Sequence, residues 1–93
     1  MKTLPKTVKI ALVDDHRVFL DGITMLVGRL SDTFEITGFN NPVECLESLE
    51  AGARFDLVIC DLIMNAMNGL AFIAALRGHS KLTPVLVLSG INT

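Results

Sequence analysis

The stretch from Phe55 to Gly69, FDLVICDLIMNAMNG, constrains this chain more than any other. Four apolar residues in a row, Leu57-Val58-Ile59-Cys60, end on a carboxylate, Asp61. A short segment from Leu62 to Asn68 follows, closed by Gly69, and a helical pattern starts at Leu70. An unbroken apolar run of this length has no polar side to turn to water. It suits a strand buried on both faces of a parallel sheet. Ligands of such sheets sit outside the carboxyl ends of the strands, which is where Asp61 stands.

The rest of the chain repeats the theme. Met1 to Thr7 reads as a loose leader, with Pro5 discouraging regular structure. Val8 to Val13 reads as a first strand running into Asp14-Asp15. Arg17 to Leu30 carries Phe19, Ile23, Leu26, Val27 and Leu30 at helical spacing, and Gly22 inside that helix is expected to allow a close approach to the sheet. Phe34 to Phe39 suits a shorter strand. Asn40-Asn41-Pro42 is a helix start, an Asn cap followed by proline at the first helical position, and Gly52 is the stop. In that helix Cys45, Leu46 and Leu49 face the core, and Glu44, Glu47 and Glu50 form a solvated face. The third strand is expected over Phe55–Cys60 and the third helix over Leu70–Arg77, ended by Gly78. Pro84 introduces a fourth strand, Val85 to Leu88, followed by Ser89-Gly90. Strand and helix alternating over short loops predicts an α/β fold with a parallel sheet and helices on both faces.

With 93 residues, 51% of them apolar, the chain can bury one core but not two. A net charge of −2 offers no electrostatic pull towards nucleic acid or membrane surfaces. No apolar run approaches a membrane span, and the basic start does not lead into a signal peptide. Cys45 and Cys60 lack metal-ligand spacing and read as reduced, structural thiols in a cytoplasmic protein.

Chemistry gathers at the strand ends: Asp14-Asp15 after the first, Asp61 after the third, Ser89 after the fourth. With the first and third strands adjacent, the three carboxylates converge and repel one another, which a hard divalent cation relieves. Few carboxylates, with room for waters and a phosphate oxygen, is a pattern for Mg²⁺. Beside it Asp61 is placed to attack phosphorus as a nucleophile, and the Ser89 hydroxyl to donate to a phosphoryl oxygen. A turn-forming or helix-capping role competes for any one of these residues, the Asp14-Asp15 pair included. His16 reads as a helix-start residue facing solvent, and Met64 and Met67 as packing for their loop.

VKIALVDDH, FDLVICDLIMNAMNGL and PVLVLSG together resemble the three signature segments of the receiver domain of two-component response regulators, with the CheY-like (flavodoxin-like) fold, over residues 8–93. The resemblance implies that Asp61 accepts a phosphoryl group from a sensor histidine kinase. It implies that Asp15 binds Mg²⁺ directly, Asp14 more weakly or through water, and the Ile63 backbone carbonyl completes the protein ligands. Ser89 becomes the switch hydroxyl. DDHRVFLDGI is similar to regulators with a LuxR-type DNA-binding output domain.

The chain departs from that family in two respects. Asn65 stands where the family usually has proline, which is expected to loosen the loop. The family's fourth helix, fifth strand with its lysine, and fifth helix are not in this sequence. The domain is therefore expected to be partial, with the fourth strand as an exposed edge that a homodimer or swapped assembly covers. Ile63 and Ile91, each two residues past a functional position, are expected to shield an aspartyl phosphate from water. DNA contact would come only through an output domain. The leading function is a phosphorylated signalling switch rather than an enzyme. The alternative is an unphosphorylated interaction and dimerisation module. A phosphatase of the haloacid-dehalogenase type is disfavoured, because Asp61-Leu62-Ile63 lacks a second Asp two positions on.

Overall fold

The computed structural model describes residues 6–88. Its elements run β1 (Val8–Val13), α1 (Arg17–Gly28), β2 (Phe34–Phe39), α2 (Pro42–Glu50), β3 (Leu57–Asp61), α3 (Gly69–His79) and β4 (Val85–Leu88). Four parallel strands form one sheet in the order β2-β1-β3-β4. This is the α/β parallel-sheet architecture expected from the alternation. Ser89 and Ile91 lie outside the described residues, as does most of the expected leader.

The apolar runs are continuous because both faces of the inner strands are covered. On one face Ala11, Val13, Val58 and Cys60 pack with Cys45 and Leu49 of α2 and Phe72 and Leu76 of α3. On the other, Ile10, Leu12 and Ile59 pack with Leu20 of α1. Residues adjacent in sequence thus alternate between two cores, as a two-residue strand period requires. β4 pairs only with β3 among the described residues and leaves Leu86 52% and Val87 38% exposed. Among the described residues β4 and β2 are the two outer strands of the sheet.

Several boundaries differ from expectation, each for a local reason. Asp56 stops short of β3 because its carboxylate accepts from the Lys9 N–H while its own N–H donates to the Lys9 carbonyl. Phe55 stands edge-on to Phe39, with ring centroids 6.0 Å apart. β3 instead runs on to include Asp61. α1 ends at Gly28, not Leu30: the Arg29 and Leu30 N–H groups bond three residues back, and Leu30 is exposed. α3 begins a residue early, on an Asn68 cap whose side chain accepts from the Ala71 N–H, and continues through Gly78 to His79.

Gly22 does not serve close packing. A Cβ there would meet nothing within 4 Å. The close approach belongs to Gly69, where a Cβ would lie 2.7 Å from the Asp61 carbonyl oxygen. α2 starts as read, with Asn41 Oδ1 accepting from the Val43 N–H at 2.9 Å. Gly52, at φ 109°, follows it in the left-handed region that glycine favours. Glu44, Glu47 and Glu50 are exposed, and Cys45 and Cys60 are buried free thiols.

Candidate functional site

β1 lies between β2 and β3, so the chain leaves it in one direction to reach β2 and in the other to reach β3 and β4. A crevice opens at the carboxyl ends where the direction reverses. Val13 is level with Cys60 in the sheet, so the residues that follow them meet across that crevice. Asp14, Asp15, His16 and Asp61 each offer a ligand atom there, all within 4.8 Å of one another. The described residues therefore hold an acidic cluster suited to a divalent cation.

Each carboxylate in the cluster is held by one arm. Asp14 Oδ1 accepts from the His16 N–H at 2.8 Å. Asp61 Oδ1 accepts from the Ile63 N–H at 3.3 Å. Asp15 Oδ2 accepts from the Asn65 N–H. The opposite oxygens are left over: Asp14 Oδ2 and Asp15 Oδ1 are buried without a hydrogen-bond partner. Buried carboxylate oxygens without partners are costly. Hard oxygen donors in this state fit a cation such as Mg²⁺, which keeps waters and takes only a few protein carboxylates.

His16 is the surprise of the cluster. It caps α1 and its side chain is 63% exposed, as a solvent-facing helix start should be. Its ring nevertheless turns back over the acids. Nδ1 lies 3.1 Å from Asp14 Oδ1, 3.1 Å from Asp15 Oδ1 and 3.9 Å from Asp61 Oδ2. Nδ1 is within hydrogen-bonding distance of Asp14 Oδ1, and Asp15 Oδ1 is as close without a hydrogen bond of its own. The hydrogen bond to Asp14, then the charge of Asp15, raise the imidazole above its ordinary value. The same closeness to the carboxylates is what favours the protonated form of the ring.

The loop after Asp61 is shaped by packing. Met64 is buried and Met67 half-buried against the α2–α3 core, as expected. Ile63 is 51% exposed. The Asn65 N–H ties this loop to Asp15 at the end of β1. This contact is not legible in the sequence, because a backbone donor leaves no mark on residue type beyond not being proline. Burial pushes the Cys60 thiol up to about 11, with the Asp61 charge adding to it, and pushes the Cys45 thiol up to about 12. Both are inert neighbours of the site rather than ligands.

With this geometry in view, comparison with known proteins identifies a class. The family model described as "Response regulator receiver domain" matches residues 10–93. The chain belongs to that family. Receivers of this family are phosphoacceptor and regulatory modules, not enzymes. Among curated proteins, the chain is 36% identical over 81 residues to the Regulator of RpoS of Escherichia coli K12, covering 87% of this chain and 23% of that protein. It is 39% identical over 70 residues to the transcriptional regulatory protein FlgR of Helicobacter pylori, covering 75% of this chain and 18% of that protein. The chain thus spans about a quarter or less of the length of these relatives. Among solved structures, the chemotaxis response regulator CheY4 of Vibrio cholerae superposes with a TM-score of 0.79 at 27% identity, over 95% of this chain and 72% of that one. The receiver domain of the response regulator NarL from Mycobacterium tuberculosis superposes at 0.75 with 27% identity, over 96% and 71%.

Proposed function

We propose that the chain is a phosphoryl-accepting switch in two-component signalling, with Asp61 as the acceptor. The observation that carries this reading is the convergence of three one-armed carboxylates at the β1–β3 crevice, with buried oxygens left free. Asp14, Asp15 and Asp61 would hold Mg²⁺, with the Ile63 backbone carbonyl as a fourth protein ligand. Bound there, Mg²⁺ supplies charge neutralisation and orientation for the transferring phosphoryl group. Asp61 Oδ2 attacks the phosphorus of a phosphohistidine on a sensor kinase. A P–O bond forms, the P–N bond breaks, and the histidine departs with its electron pair. The Ile63 N–H at Oδ1 keeps the carboxylate turned for that attack. Ser89, directly after β4, is the switch hydroxyl that donates to the phosphoryl group.

In a cytoplasmic parent protein the phosphorylated face would bias an output, which we take to be transcription regulation through a LuxR-type DNA-binding domain. Two relatives at 39% and 29% identity are named as transcriptional regulatory proteins, which supports that direction. Among the described residues no helix is long and apolar enough to cross a membrane.

A second reading draws on a different observation. Leu86 and Val87 expose apolar surface on β4, which among the described residues pairs on one side only, and an unpaired edge is a template for pairing. Two copies meeting there, as a homodimer or swapped assembly, would make the chain an interaction module even without phosphorylation. Light scattering on the 93-residue chain separates the two states; a stable monomer counts against the assembly. For the switch, the test is intact mass after incubation with a small acyl phosphate. The adduct is expected with Mg²⁺ and absent with chelator or in Asp61→Asn. An adduct that survives Asp61→Asn would refute the assignment.

A further inference from the structure

Two of the three carboxylate arms are local: His16 N–H to Asp14 and Ile63 N–H to Asp61 each span two residues. The third joins segments fifty positions apart, from the Asn65 N–H to Asp15 Oδ2. We propose that the Asn65 backbone N–H is a positioning group for the cation site, holding Asp15 by Oδ2 so that Oδ1 stays turned into the cluster. The proposal rests on the reading of the cluster as a cation site.

An aspartate side chain rotates about two bonds, and a hydrogen bond to one oxygen narrows the orientations it samples. Asp15 keeps Oδ1 buried without a hydrogen bond, 3.1 Å from His16 Nδ1. The anchor that permits this is charge-assisted, a backbone N–H on an ionised carboxylate. It occupies the oxygen that the cluster does not need. Loop and cation therefore do not compete for one atom, and the ligand is ordered before the cation arrives, which removes part of the ordering cost of binding. The donor is main chain, while Asn65 itself is exposed. The identity of residue 65 thus matters in one respect: proline has no N–H to give.

That yields a test in which alanine and proline diverge. In the ¹⁵N-labelled, metal-free chain, the Asn65 amide is expected to exchange about tenfold more slowly than in Asp15→Ala, as loss of a charge-assisted hydrogen bond requires. In calorimetric titration with MgCl₂, Asn65→Pro is expected to weaken binding about tenfold, while Asn65→Ala stays within about twofold of the parent. An amide-to-ester replacement of the same N–H, which adds no ring, is expected to match proline and decides the matter if Asn65→Pro does not fold. Equal binding by the ester and the parent overturns the proposal, as does equal weakening by alanine and proline. A parent chain that takes no Mg²⁺ refutes the cation-site reading and the positioning role with it; a protected Asn65 amide then shows a loop tether alone.

Discussion

Replacing Gly69 with alanine puts a methyl carbon 2.7 Å from the Asp61 carbonyl oxygen, 2.7 Å from Leu62 Cα and 3.0 Å from the Leu62 carbonyl oxygen. All three are backbone atoms and cannot swing aside. The Gly69 N–H also donates to the Leu62 carbonyl at 2.8 Å, which fixes the same separation from the other side. Relief requires moving the start of α3 or the end of β3, and the second carries Asp61 with it. Overpacking of this kind costs about 1–3 kcal/mol, and a strained hydrogen bond adds about 1. Alanine's better helix propensity returns at most about 1 kcal/mol. The expected net loss is about 1–3 kcal/mol. With a urea dependence of about 1.5 kcal/mol per molar, the unfolding midpoint falls by about 1–2 M. Gly22→Ala is the internal control. It lies inside α1 with open space around a Cβ, so the same change should stabilise by about 0.5–1 kcal/mol. Urea unfolding of both variants beside the parent, followed by the helical circular dichroism signal, checks the sign of each. A Gly69→Ala midpoint at or above the parent's would refute the close-approach argument.

Asn41→Ala removes the cap that accepts from the Val43 N–H, and should cost about 1 kcal/mol, seen as a melting point lower by about 4–8 °C. The buried thiols Cys45 and Cys60, pushed up to about 12 and about 11, should resist iodoacetamide at about pH 8 in the native chain and react promptly in concentrated urea. Because their folded values are raised, the stability linked to the protonated thiols is full below the ordinary value of 9.0 and is lost as pH rises from there through about 11 and about 12. Rapid native labelling would contradict the burial. Ile63→Asn replaces a half-exposed apolar side chain beside Asp61, and should speed hydrolysis of the aspartyl phosphate severalfold in a time course of adduct mass. An unchanged rate would count against shielding by Ile63; its proposed companion, Ile91, lies outside the described residues.

Much of the fold was legible because burial on both faces forces a composition that reads plainly. IALV of β1 and LVIC of β3 are apolar without alternation, and each splits its side chains between two cores. The Asn41-Pro42 start and the Gly52 stop declare α2 by local chemistry. The boundaries that were misread depend on contacts that periodicity does not carry, such as the Asp56 bonds to Lys9 and the Asn68 cap on α3. Asn68 before a glycine and an apolar run was a usable cap signal. Gly22 and Gly69 look alike in sequence, and only the tertiary approach of Leu62 separates them. At the site, Asp14, Asp15 and Asp61 meet as their strand ends require. His16 and the Asn65 N–H join them through geometry: a ring folding back over its own helix start, and a main-chain donor that any residue but proline supplies.

The central claim is that Asp61, rather than another acid of the cluster, takes the phosphoryl group. An acyl phosphate is reduced by borohydride to an alcohol, so trapping converts the phosphorylated aspartate to homoserine and marks the acceptor permanently. The measurement is tandem mass spectrometry of peptides from the chain treated with Mg²⁺ and an acyl phosphate, then borohydride. Homoserine is expected at position 61 and unaltered aspartate at positions 14 and 15. Homoserine at 14 or 15, or none at 61 when intact mass shows the adduct, would contradict it.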